Sequence, residues 1–150
     1  MERKKLSSPI IAEKIFVVAT TVMFIIVFFE TKTSIHPLFL LLIPIYAGIY
    51  YIIFYLPDTL EYNNDALYMK RKGSEVVIEL KHIDTIKMTS IMIGHRSLWK
   101  IKYSYNDETG AARFYPKYFS SSFDDFCRKV RVKNAKLEIV NFSWSFDFDI

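Results

Sequence analysis

The chain has 150 residues, enough for one domain of ordinary size with or without an anchor. Its residues are 51% hydrophobic with a mean hydropathy of +0.15, high for a chain solvated on all sides and too low for one lying wholly in lipid. The formal net charge of +4 is too small to argue for a nucleic-acid partner, and the single cysteine, Cys127, excludes a disulfide framework or a cysteine-only metal site.

The apolar residues are unevenly placed. Nearly all of residues 10–56 is apolar, whereas residues 57–150 carry 15 Lys/Arg against 13 Asp/Glu. Residues 1–8 read as a short basic leader, with Arg3, Lys4 and Lys5. Ser8-Pro9 resembles a helix start, and residues 15–29 are apolar except for Thr20 and Thr21. Glu13 and Lys14 fall in the first turns, where side chains can snorkel to an interface. A secretory signal peptide competes with this reading, since a basic segment precedes an apolar one. No small-residue cleavage site follows Phe29, however, and a second apolar stretch begins after seven residues.

That second stretch, PLFLLLIPIYAGIYYIIFYL over residues 37–56, has no charge. At about 1.5 Å per residue it measures about 30 Å, the thickness of a hydrocarbon core. Pro37 suits a first helical turn, Pro44 and Gly48 are tolerated in lipid, and the tyrosines crowding its second half (Tyr46, Tyr50, Tyr51, Tyr55) suit an interfacial belt. The expectation is a transmembrane hairpin over 9–56, with helices 9–29 and 37–56. Lys/Arg gather before the first helix and after the second, and Lys32 stands alone between them. That asymmetry predicts a multi-pass protein of the cell (inner) membrane with both termini cytoplasmic.

From residue 59 the period changes to two. Strands are expected over 59–62, 66–70, 75–80, 84–89, 97–105 and 111–115. Turns are expected at Asn63-Asn64-Asp65, at Lys72-Gly73-Ser74 and over 106–110, with an irregular stretch over 90–96. The period then becomes helical. Phe123, Phe126, Cys127 and Val130 share one face of a helix over about 122–132, Ser122 and Asp125 resemble a capping box, and the charges run from acidic to basic along it. Cys127 reads as a small buried hydrophobe.

Two apolar helices followed by LEYNNDALYMKRKGSEVVIELKHIDTIKMTS resemble bacterial pleckstrin-homology-like (PH-like) membrane proteins. The features concerned are the basic turn Lys70-Arg71-Lys72-Gly73, the step Ile83-Asp84-Thr85-Ile86-Lys87, the glycine gap Ile93-Gly94, and a hairpin with a closing helix, over roughly 59–132. The resemblance implies a membrane-anchored α+β protein: a transmembrane hairpin, then a PH-like antiparallel β split barrel closed by the amphipathic helix. It also implies a binding module, with Lys70, Arg71 and Lys72 as candidate lipid- or partner-binding residues.

An extra C-terminal strand is expected over about 137–150, where LEIVNFSWSFDFDI alternates. Phe142, Trp144, Phe146 and Phe148 form a packing or assembly stripe, against the domain's own sheet, a second subunit or a membrane surface. No enzyme signature is present: four glycines leave no phosphate-cradling loop, and His36, His82 and His95 are scattered. The sequence therefore predicts a non-catalytic, membrane-tethered module without a cofactor. Its expected partners are the lipid bilayer and a protein or peptide, with self-assembly through the aromatic tail as the alternative.

Overall fold

The computed structural model describes residues 2–8, 10–30, 37–71, 73–93, 95–105, 108–117 and 121–141. The chain forms two compact units, one of Met1–Pro9 with Pro57–Ile150 and the other of Ile10–Leu56.

The second unit is helical. Helix α1 runs over Ile11–Glu30 and α2 over Pro37–Phe54 with Pro44 inside it. The helices appear where the apolar runs predict them, but the membrane expectation does not survive. Among the described residues no helix is long and apolar enough to cross a membrane. Glu13 and Lys14 occupy the start of α1. The transmembrane hairpin is thus corrected to a pair of apolar helices. The multi-pass, inner-membrane location with cytoplasmic termini, which was built on it, falls with it.

The other unit is β-rich, and its first strand precedes the helices. Strand β1 (Lys4–Lys5) pairs antiparallel with β2 (Thr59–Tyr62), so the whole helical unit is an insertion between two neighbouring strands. β2 pairs with β3 (Ala66–Arg71), and β3 with β4 (Ser74–Glu79), giving a sheet of order β1-β2-β3-β4. Two tight turns set these registers. Asn63 Oδ1 accepts from the backbone N–H groups of Asp65 and Ala66, both at 2.8 Å. The β3–β4 turn places Gly73 at φ 86°, a left-handed conformation that favours glycine.

A 3-10 turn, Leu80–His82, leads into β5 (Ile83–Ile93), β6 (Arg96–Tyr105) and β7 (Glu108–Phe114), an antiparallel meander. Helix α3 (Ser122–Lys133) follows, and β8 (Glu138–Val140) returns parallel to β5, for an order β7-β6-β5-β8. The expected all-antiparallel split barrel is therefore corrected to two four-stranded sheets, one of them mixed, with a strand added from each end of the chain. The expected irregular stretch over 90–96 is instead the end of β5 and the start of β6. Its alternation is broken by a register shift between Met88 and Met92, a bulge that hides a strand from a period-two reading.

One core joins the pieces. Leu6, Leu60, Leu67 and Ile78 from the first sheet meet Ile83, Ile86, Ile101 and Phe114 from the second and Phe126 and Val130 from α3. Phe126 packs edge-on to Tyr62, with ring centroids 5.3 Å apart.

Candidate interaction surfaces

The expected basic turn is largely engaged within the β unit. Lys70 Nζ lies 3.7 Å from Glu61. Arg71 makes a two-pronged ion pair with Asp58, both nitrogens at 2.7 Å, and donates a third bond to the carbonyl of Ala111 at 3.0 Å. Lys72 lies outside the described residues. The Asp58 side chain is only 4% exposed, and the backbone N–H of Arg113 donates to its Oδ2 at 3.0 Å. Its own N–H donates to the Arg113 carbonyl. Asp58 thus ties the entry of β2 to β3 in one sheet and β7 in the other. Its fork holds the Arg71 guanidinium above its ordinary pKa.

The N-terminal segment closes the same side. Leu6 N–H donates to the Leu60 carbonyl at 3.0 Å, Ser8 N–H to that of Tyr115 at 2.8 Å, and Lys117 N–H to that of Leu6 at 3.2 Å. Arg96 Nη1 donates to Ser8 Oγ at 3.2 Å. Ser8 and Asp58, the residues flanking the inserted helices, are therefore each held by an arginine side chain. Outward from there, Lys87, Lys100 and Arg113 stand directly opposite one another across β5, β6 and β7.

A second polar cluster gathers around Asp125. Its carboxylate accepts from Tyr62 Oη at 3.0 Å and Arg128 at 2.9 Å, and pairs with Lys129 at 3.1 Å and Lys4 at 3.4 Å. Arg128 chiefly, with Lys129 and Tyr62, holds the carboxyl far below the usual carboxylate range. Burial, reinforced by Asp125, pushes the Tyr62 hydroxyl well above its ordinary value. The expected capping box is not formed: Ser121 is the N-cap without a side-chain cap bond, because Asp125 is turned toward these partners. An open cleft of about 550 Å³ lies here, lined by Lys4, Tyr62, Ser121, Ser122, Asp124, Asp125 and Arg128. The Asp125 carboxylate is thus paired with internal cations, and the Tyr62 phenol stays protonated.

Burial pushes the Cys127 thiol up to about 11, so it carries little thiolate. His82 stacks edge-on to Tyr105, His95 is exposed, and His36 lies outside the described residues. Among the described residues no group of His, Cys, Asp or Glu could hold a metal ion. Phe142, Trp144, Phe146 and Phe148, the expected assembly stripe, also lie outside them.

The most unusual surface belongs to the helical unit. Among the described residues, fifteen of the twenty exposed large apolar side chains lie there, including Phe16 at 68% and Met23 at 67% exposure. On α1 they spare the side of Val17, Thr20 and Thr21, which faces α2. The described polar side chains between Ile15 and Ile26 are satisfied inside the pair. Thr20 Oγ1 hydrogen-bonds the Tyr46 hydroxyl and donates to the Phe16 carbonyl, and Thr21 Oγ1 donates to the Val17 carbonyl at 2.6 Å.

Sequence reasoning missed Leu6 and Asp58, and read Asp125 only as part of a capping box. Leu6 had a signal, as the one apolar residue between Glu2 and Ser8. Asp58 had none, since its partners lie in other strands, whereas Arg128 and Lys129 stand three and four residues after Asp125 on the same helix. No protein-family model and no curated protein matches this chain.

Proposed function

We propose that this protein is a non-catalytic interaction module tethered to lipid through its helical unit, with the β unit presented to a protein or peptide partner. The observation that carries the reading is the exposed apolar surface of α1 and α2. A contiguous apolar patch of this extent marks an interaction surface. The internal pairing of Thr20, Thr21 and Tyr46 favours lipid as its cover, because apolar surroundings offer hydroxyls no other partner. The tether needs the helices to bed in lipid, not to cross it. The resemblance of residues 59–132 to PH-like proteins supports the binding role of the β unit.

Flotation of the full chain with phosphatidylcholine vesicles tests the tether. The protein is expected to rise with the vesicles, and Phe16→Glu with Met23→Glu is expected to lower its partition at least tenfold, since each loses about 1.5–3 kcal/mol of apolar burial. Wild-type protein that stays in the aqueous fraction as a monomer contradicts the reading.

A further inference from the structure

We propose that the open edge of β4 is a docking site for an extended peptide strand with basic residues on either side of an apolar one; this rests on the reading of the β unit as a partner-binding module. Backbone hydrogen bonding singles out this edge. Among the described residues the two sheets end on β1, β4, β7 and β8. β1 and β8 are two and three residues long, too short to template a strand. β7 is covered: the Asp58 N–H donates to the Arg113 carbonyl, Asp58 Oδ2 accepts from the Arg113 N–H, and Arg71 donates to the Ala111 carbonyl. β4 has six residues in unbroken register with β3, and no proline or lysine that would blunt it.

The register shows which groups face outward. The Leu80 N–H donates to the Asp65 carbonyl, so these two form a hydrogen-bonded pair. Back along the antiparallel ladder, Ile78 with Leu67, Val76 with Met69 and Ser74 with Arg71 are bonded pairs in turn. The residues between them turn their backbone groups the other way. The N–H and C=O of Glu75 and Val77 therefore point out from the edge, and no other described backbone group meets them. An extended chain laid alongside completes such a row.

Side chains set its composition. Glu75, Val77 and Glu79 alternate onto one face of β4, and Ser74, Val76 and Ile78 onto the other. Ile78 is buried in the core, whereas Val76 and Val77 are 39% and 50% exposed. An apolar residue set against Val77 covers it, and basic residues two places to either side meet Glu75 and Glu79. The glutamates hold Arg3 and Lys81, but both ion pairs are open to solvent, and pairs of that kind contribute little and yield to a second cation. A second copy of this chain fits less well. A twofold axis through Val77 sets Glu75 of each copy opposite Glu79 of the other, and like charges so placed repel.

The test titrates the full chain, in neutral detergent, against the capped fluorescent peptide Thr-Lys-Val-Val-Val-Lys-Thr and its counterpart Thr-Glu-Val-Val-Val-Glu-Thr, followed by anisotropy. The lysine peptide is expected to bind on the order of tenfold more tightly than the glutamate peptide and to slow amide exchange at Glu75 and Val77. Val77→Pro removes one outward N–H and spares the ladder to β3; it is expected to weaken lysine-peptide binding about tenfold. Glu75→Lys with Glu79→Lys is expected to reverse the preference between the peptides. No binding, equal affinity for both peptides, binding that ignores Val77→Pro, or a preference that survives the charge reversal overturns the proposal. So does a dimer whose formation excludes the peptide, which would give the edge to a second copy. Should Val77→Pro not fold, the charge reversal decides. Flotation with vesicles is read separately: a chain that floats but ignores the peptide loses only the docking site, and one that binds the peptide without floating loses only the tether.

Discussion

The two units treat their apolar side chains in opposite ways. The β unit buries its large residues in a shared core, with Leu6, Leu60, Ile86, Phe114 and Phe126 fully covered, and turns its charges outward or pairs them. The helical unit covers Val17 and Ile53 but leaves most of its isoleucines and aromatics open. The contrast teaches that folding of the β unit has its own driving force, whereas two helices laid side by side bury only the sides between them. Their remaining stabilisation has to come from what surrounds them.

The largest effect that can break this comparison lies in the β core. Phe126→Ala removes a ring packed on Tyr62 and should cost about 3–5 kcal/mol. Thermal unfolding of the β unit should show this loss with or without lipid. A loss rescued by vesicles would mean that the core is not self-sufficient.

Next is the link between the sheets. Arg71→Met strands the nearly buried Asp58 carboxylate and should cost about 3 kcal/mol, whereas Asp58→Asn leaves a guanidinium that can reach water and should cost less. Equal losses in denaturant titrations would show that the pair is solvated at both ends.

Asp125 gives a smaller effect with a pH signature. Asp125→Asn should cost about 1–3 kcal/mol near neutrality. Its folded pKa is depressed, so its stabilisation is present above the unfolded carboxylate value of about 3.9 and is lost as the pH falls through the lower folded value. Melting temperatures should drop below about pH 4 in the wild type, and the drop should be shallower in the variant.

The smallest effect sharpens the other side. Tyr46→Phe removes the bond to Thr20 and should loosen the helix pair by about 0.6–1 kcal/mol in lipid. Amide exchange in the helices should rise in vesicles while the β unit is unaffected.

Legibility in the sequence divides along physical lines. Helix α3, expected over about 122–132 and found as Ser122–Lys133, was readable because its face repeats locally. So were the turns at Asn63 and Gly73, where one residue type determines the backbone. The helices of the insertion were readable as helices, but among the described residues none is long and apolar enough to cross a membrane, so the span inferred from hydropathy is not met. β1 was not readable: two lysines become a strand only because β2 returns some 55 residues later to pair with them. The parallel return of β8 and the two-sheet ion pair of Asp58 were hidden for the same reason, being contacts of long sequence separation that no local pattern announces.

The comparison is tested most directly by a polarity-sensitive fluorophore placed on each unit in turn. In a Cys127→Ser background, one label goes on Phe16→Cys in the helical unit and the other on Val132→Cys, which is 79% exposed on α3 of the β unit. On adding phosphatidylcholine vesicles, the label at 16 should shift to the blue and be quenched by a lipid-borne quencher, while the label at 132 should do neither. A label at 16 that keeps its aqueous spectrum in the presence of vesicles would contradict the account.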